Sequence, residues 1–146
     1  RDAVHDYSDS LNAVVWKLMT LTKAQNVLVT MGSDGLIAFD RLPGADQMRG
    51  WDSRLRGEHV PAMTTPAVDQ LGCGDALLAT ATLALITGGS VTDAGFLGSL
   101  AASHQAGRIG NVVVSAADLR AGLRRLDGAR LAITTGHGTH GQRMVV

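Results

Sequence analysis

The sequence predicts an α/β fold in which a pair of strands is followed by a succession of capped helices, and three observations carry that prediction. Asn26-Val-Leu-Val-Thr-Met31 is an apolar, largely β-branched run, Gly32-Ser-Asp-Gly35 has turn chemistry, and Leu36-Ile-Ala-Phe-Asp40 resumes the apolar pattern, which predicts strand, tight turn, strand. Residues 76–86 are almost continuously apolar and end at Gly88-Gly89, a natural helix stop. The 146 residues are 45% hydrophobic and 18% charged, enough apolar material for one modest domain or part of one and too much for a disordered chain.

The elements follow in order. Ser10 is placed to cap a helix whose apolar positions Leu11, Val14, Val15, Leu18, Met19 and Thr22 recur with the helical period, a surface helix with one buried stripe. After the strand pair the periodicity vanishes over residues 41–57, where Pro43, Gly44, Gly50 and Gly57 punctuate a segment holding Arg41, Arg49, Arg54 and Arg56. This predicts a long loop or flap, and the offsetting Asp46, Asp52 and Glu58 favour a solvated loop over an anion clamp. Residues 59–62 and 65–68 read as short extended pieces around Pro61 and Pro66, which cannot donate to a sheet ladder. The helix over 76–86, apolar on nearly every side, belongs in a core. Ser90 or Thr92 caps the next helix, 93–105, closed by Gly107. Val112–Val114 is extended, and Ser115-Ala-Ala-Asp118 is a capping-box variant opening a helix to Leu126. Residues 130–134 read as a last strand, followed by a glycine- and histidine-rich tail or linker stub.

Composition excludes several functions. Thirteen Lys+Arg balance thirteen Asp+Glu, and the aromatics are few, so neither the basic stripe nor the stacking platform of a nucleic-acid binder is present. One cysteine permits no internal disulfide, and no Cys/His spacing matches structural zinc. The longest apolar run falls well short of the roughly 20 residues that span a bilayer. Neither a nucleic-acid nor a membrane partner is therefore expected, and the cytoplasm is the default location. The first residue is not Met and no leader pattern follows it, so the expected start lies upstream.

The stretch that carries chemistry is Asp69-Gln-Leu-Gly-Cys-Gly-Asp75. Glycines flanking Cys73 at a helix entrance let backbone N–H groups converge on one point, where the positive end of the helix dipole also lies. Such a nest binds anions, and Asp75 in the first turn stands close enough to take a proton from a hydroxyl brought beside it. The same residues also have a plain reading, since Asp is a common cap and glycines often only make loops. No Gly-Lys-Ser/Thr follows, and the dinucleotide G-x-G-x-x-G pattern is absent from this stretch.

The stretch resembles the signature Asp-Thr-x-Gly-Ala-Gly-Asp of the PfkB/ribokinase-type carbohydrate kinases. A second feature of that family, a strand ending in Thr-x-Gly-x-x-Gly, is matched upstream by Thr30, Gly32 and Gly35. Residues 101–114, with Gly110 ahead of a β-branched run and Ser115, resemble the late nucleotide-pocket helix and loop, most like the bacterial heptose-phosphate kinases. The resemblance covers residues 10–126. It implies a ribokinase-like three-layer sandwich of which this chain is the C-terminal half, with residues 1–128 belonging to the kinase domain and 129–146 lying beyond it. It implies ATP-dependent phosphorylation of a sugar or sugar phosphate with Mg2+ and a monovalent cation such as K+. Asp75 would be the general base and the Gly72, Cys73 and Gly74 amides the anion hole. Thr30, Gly32 and Gly35 would line the ATP phosphates, Ser99 and Gly110 the nucleotide pocket, and Asp69 with Ser115 the cation loop. It further implies association with an N-terminal half or with another copy, because half a sheet exposes an edge and an apolar face.

This chain departs from the family pattern at Gln70 for Thr, Cys73 for Ala, and Ser99 where many members have Asn. The sugar contacts and an Asn-x-x-Glu magnesium motif belong to the half not represented here. A different class of function, a non-catalytic nucleotide-binding or assembly module, therefore stands beside the kinase. Cys73 is either a reactive thiolate favoured by the helix N-terminus or, the preferred reading, a small packed residue. His137 and His140 lie in the tail, His59 and His104 are isolated, and Trp51 is a single loop tryptophan. None of these requires a functional reading.

Overall fold

The computed structural model describes residues 2–50, 53–63 and 67–136, with side chains between residues 11 and 128. Helix α1 spans Asp2–Thr22, strand β1 Asn26–Thr30, β2 Leu36–Arg41 and β3 Leu55–Val60. Three helices follow: α2 over Cys73–Ile86, α3 over Val91–Ala106 and α4 over Ala116–Gly136. The strands form one antiparallel sheet in the order β1-β2-β3, with Thr30 opposite Leu36 and Leu36 opposite Val60.

Strand alternation sends successive side chains to opposite faces, and each face is covered. Val15 and Met19 of α1 pack with Phe39 and Leu55, flanked by Val27, Val29 and Ile37. On the other face Leu36, Ala38 and Val60 pack with Val91 of α3, joined by Leu28 and by Leu77 and Leu85 of α2. This is the expected three-layer sandwich. Helices α2 and α3 approach closely because Gly98 has no side chain: a Cβ there would lie 2.9 Å from the Leu77 carbonyl oxygen. The Ser90–Asp93 capping box fixes the start of α3, and Ser115 and Asp118 exchange the matching bonds ahead of α4.

Several expectations are corrected. Ser10 is inside α1, which begins at Asp2; the apolar period locates the helix, but Ser10 is an internal residue of it rather than its cap. The segment 41–57 is shorter as a loop than expected, because Leu55–Val60 pairs with β2. Its exposed middle residues and its glycine concealed the strand, although Gly57 is needed there: a Cβ would come within 2.9 Å of the Phe39 ring. Arg41 and Arg54 are engaged locally. Arg41 pairs with Asp46, Arg54 Nε donates to the Met48 carbonyl at 2.7 Å, and both guanidiniums lie over the Trp16 ring at 4.6 and 5.2 Å, stacking that favours Arg. Residues 130–134 are not a strand but the continuation of α4, whose Ala- and Leu-containing sequence supports a helix without a partner strand. Helix α2 is not buried all round: Ala81 and Ala84 are, but Leu78, Leu83 and Ile86 are exposed. Trp51, residues 65–66 of the second extended piece, and the His137/His140 tail lie outside the described residues.

Candidate active site at the glycine-rich helix entrance

Helix α3 sets the position of the site. Thr92 Oγ1 bonds the Glu58 carboxylate at 2.8 Å, Gly95 lies over Leu36 and Leu28, and Ser103 Oγ donates to the Met63 carbonyl at 2.9 Å, beyond the end of β3. The helix thus runs along the sheet and out past the end at which Thr30, Leu36 and Val60 are paired. Helix α2 runs back against it, with Gly89 N–H bonding the Ala84 carbonyl at one end and Leu77 abutting Gly98 nearer the other. The first turn of α2 and the Gly32–Asp34 turn between β1 and β2 therefore share one end of the molecule, the carboxyl end of β1, where ligands of α/β sheets bind.

At the α2 entrance Gly72 is the N-cap residue with φ +77°, a left-handed conformation that glycine adopts without strain. A Cβ on Gly72 would also come within 2.6 Å of the Asn111 side chain. The entrance is held from below by Asp69. Its carboxylate accepts the Leu71 N–H at 3.0 Å and the Gly110 N–H at 2.9 Å, and these bonds hold its pKa below the usual 3.8. Gln105 completes the tie. Its Nε2 donates to the Leu71 carbonyl at 3.1 Å and the Gly110 carbonyl at 2.6 Å, while Oε1 accepts the Val112 N–H at 3.3 Å. It is 1% exposed, a buried amide with its capacity nearly filled, so it locks the 69–72 and 110–112 loops together. Sequence reasoning missed Gln105; the signal was a long polar residue set among Ala101, Ala102 and Ala106.

The chemistry of the entrance is left facing outward. The Cys73 N–H turns back to the Gln70 carbonyl at 3.3 Å, and the Ala76 N–H makes the first helical bond to Gly72. The Gly74 and Asp75 amides are among the first-turn donors that no helical carbonyl can reach, and no side chain of Gly72 caps them. Space around Gly74 is open. Asp75 is exposed and its carboxylate has no partner among the described residues. Burial and the Asp69 carboxylate push the pKa of the partly buried Cys73 thiol above its ordinary value, and its Sγ lies 3.8 Å from the Asp69 carbonyl oxygen, which disfavours the thiolate.

The other expected site residues divide. Gly110 joins the Asp69 loop directly. Ser99 is buried on α3. Ser115 is committed elsewhere: its hydroxyl bonds Asp118 at 2.6 Å, and none of its hydrogen bonds reaches Asp69. Gly32 and Gly35 have positive φ, but only Gly32 has open space beside it, since a Cβ on Gly35 would collide with the Val60–Ala62 backbone. His59 Nε2 lies 2.8 Å from the Asp34 carbonyl and pins that turn to β3. His104 sits 3.2 Å from the Asp118 carboxylate, a partly buried structural histidine. No group of three or more His, Cys, Asp or Glu side chains that could hold a metal occurs among the described residues, nor is any of their helices long and apolar enough to cross a membrane.

Comparison with known proteins gives the family and the fold. The family model of the pfkB family carbohydrate kinases matches residues 5–115. The bifunctional protein HldE of Desulfatibacillum aliphaticivorans is 30% identical over 115 residues, 79% of this chain and 21% of that protein. HldE of Rhodospirillum rubrum is 32% identical over 105 residues, 72% of this chain and again 21% of its own length. Among solved structures, Escherichia coli phosphofructokinase-2 in complex with potassium superposes with a TM-score of 0.63 at 19% identity, covering 82% of this chain and 34% of that one. Thermotoga maritima ribokinase gives 0.56 at 22% identity, covering 69% and 30%. The chain thus spans about a fifth of the length of the curated relatives it matches and has a ribokinase-like fold. With the family model covering most of its length, this chain belongs to the PfkB family of carbohydrate kinases.

Proposed function

We propose that the protein of which this chain forms a part transfers the γ-phosphoryl group of ATP to a hydroxyl of a sugar or sugar phosphate. One observation carries the reading: Asp75, an exposed carboxylate with no partner among the described residues, stands beside helix-entrance amides that no described side chain caps, in open space at the same end of the sheet as the Gly32 turn. Asp75 takes the proton of the acceptor hydroxyl as its oxygen bonds to the γ-phosphorus, and the bond from phosphorus to the ADP oxygen breaks. Gly72, Cys73 and Gly74 shape the anion hole, with the Gly74 and Asp75 amides as its donors to the transferring group. Thr30, Gly32 and Gly35 form the phosphate-side turn, and Ser99 and Gly110 belong to the nucleotide side.

The open space at Gly74 and Gly32 suits an approaching polyphosphate. The described residues do not supply a magnesium cage, so the metal's ligands in this reading are the nucleotide phosphates and groups outside these residues. Asp69 and Ser115 hold no cation in this reading, because their polar atoms are engaged in loop closure and capping. A cytoplasmic location accompanies an ATP-dependent reaction.

The test is a panel of sugars and sugar phosphates offered with ATP to the full-length product, following ADP release. Sugar-dependent ADP release supports the proposal. Nucleotide binding with no acceptor-dependent turnover across the panel would favour a non-catalytic nucleotide-binding or assembly module.

A further inference from the structure

Leu71 and Gly110 stand in two separate loops, and each is held at both its N–H and its carbonyl. Their N–H groups are taken by the two oxygens of the Asp69 carboxylate, at 3.0 and 2.9 Å. Their carbonyl oxygens converge on a single atom, Nε2 of Gln105, at 3.1 and 2.6 Å. An amide nitrogen has two protons to give, and here both are used. Oε1 of the same side chain accepts the Val112 N–H at 3.3 Å, so one amide ties three backbone units together.

The neighbouring oxygens are also engaged. The Ala106 carbonyl accepts the Val68 N–H at 2.8 Å and the Asp69 N–H at 3.2 Å, which joins the end of α3 to the start of the 69–72 loop. The Ser115 hydroxyl bonds Asp118 at 2.6 Å, and the Asp69 carbonyl oxygen faces the Cys73 Sγ at 3.8 Å. Gln105 itself is 1% exposed, so its amide fills the space between the loops rather than covering them from outside.

A monovalent cation joins loops by drawing backbone carbonyl oxygens round itself in place of water. The family resemblance implies such an ion beside Asp69 and Ser115, but the point at which two loop carbonyls meet holds a neutral nitrogen. The residues present therefore do not fit the ion. We propose that the side-chain amide of Gln105 stands in for the monovalent cation, cross-linking the 69–72 and 110–112 loops from within the protein, so that this chain needs no such ion to hold the entrance of α2. N–H donors satisfy the same carbonyl lone pairs that a cation would, and a neutral amide costs less to bury than a charge. Gln105 is a positioning residue, acting through the loop that ends at the Gly72 N-cap. The cross-link stands apart from the kinase reading, and only its effect on turnover rests on that reading.

Thermal unfolding of the full-length protein tests it, with potassium chloride replaced by tetramethylammonium chloride at matched ionic strength. The parent Tm should agree in the two salts within about 1 °C, whereas an ion bound between the loops would raise it by about 2–4 °C in potassium. That rise would overturn the proposal whether or not the protein proves to be a kinase. Gln105→Glu keeps the length of the side chain but turns a carboxylate towards two carbonyl oxygens, an arrangement that a cation relieves. Its Tm should fall below the parent's in tetramethylammonium and recover in potassium; parental stability in tetramethylammonium, or no recovery in potassium, would contradict the role given to the amide. Gln105→Met keeps the volume without the donors and serves if the carboxylate prevents folding: its Tm should lie about 3 °C or more below the parent's in tetramethylammonium, and a Tm equal to the parent's would overturn the cross-link. Where sugar-dependent ADP release is observed, the parent's kcat should be the same in both salts, and activation by potassium would count against the proposal.

Discussion

The two glycine turns at the carboxyl end of β1 use their glycines in opposite ways within each motif. In the β1–β2 turn, Gly35 is demanded by the fold, because a Cβ would lie 2.1 Å from the Val60 carbonyl oxygen, while Gly32 faces open space. At the α2 entrance, Gly72 is demanded by its left-handed backbone and by Asn111, while Gly74 has ordinary helical geometry and nothing beside it. Each motif therefore holds one glycine hemmed in by its surroundings and one with open space beside it, although Gly32, unlike Gly74, also serves its turn through a positive φ. The glycines beside open space are the ones to which a ligand reading can attach.

Substitutions ranked by their effect on stability sharpen this contrast. Gly35→Ala should be the most damaging, about 3 kcal/mol or more from backbone collision and unfavourable φ together, read as a large fall in Tm. A Tm within a degree of the parent would show that β3 yields at Val60–Ala62 and that the turn is not fixed from below. Gly72→Ala should cost less, about 1–2 kcal/mol, since the Asn111 side chain can swing aside; a loss as large as that of Gly35→Ala would mean that Asn111 is held.

Asp69→Asn should have a smaller, pH-dependent effect. Its carboxyl pKa is lowered in the folded chain by the Leu71 and Gly110 amides, so its stabilisation is present above the ordinary carboxylate value and is lost as the pH falls through the lower folded one. The Tm gap between parent and variant should therefore be widest near neutrality and close below about pH 4. A gap independent of pH would assign the loss to packing. Gly74→Ala should leave stability unchanged or raise it by at most about 0.5 kcal/mol, yet weaken nucleotide-dependent turnover, and unchanged turnover would remove Gly74 from the anion hole.

Much of this was legible in the sequence. The periodicity of α1, the strand–turn–strand at Asn26–Asp40 and the Ser90 and Ser115 caps all depend on local chemistry, which a single sequence displays. What escaped was decided by distant partners. Leu55–Val60 is a strand because β2 pairs with it, although its own middle residues are polar or glycine. Residues 130–134 look like a strand in isolation but continue a helix already begun at Ala116. Gln105 gained its importance from carbonyls 34 and 5 residues away. In the site, spacing identified the α2 entrance, but only the packed structure separates Gly72 from Gly74 and shows the Ser115 hydroxyl turned to Asp118.

At the silent end of the stability scale stands Asp75, exposed and without a partner among the described residues. Asp75 lies in the first turn of α2 behind the Gly72 N-cap, so Asp75→Asn in the full-length protein gives up only an exposed charge at the helix dipole, about 0.3–1 kcal/mol, and should leave Tm and ATP affinity close to the parent. Asn cannot accept the hydroxyl proton, and kcat for sugar phosphorylation should fall by about 10²–10⁴-fold. Measured together, an unchanged Tm with that loss of kcat is the result predicted for a general base. A near-parental kcat would contradict the assignment and leave Asp75 as a helix-entrance carboxylate alone.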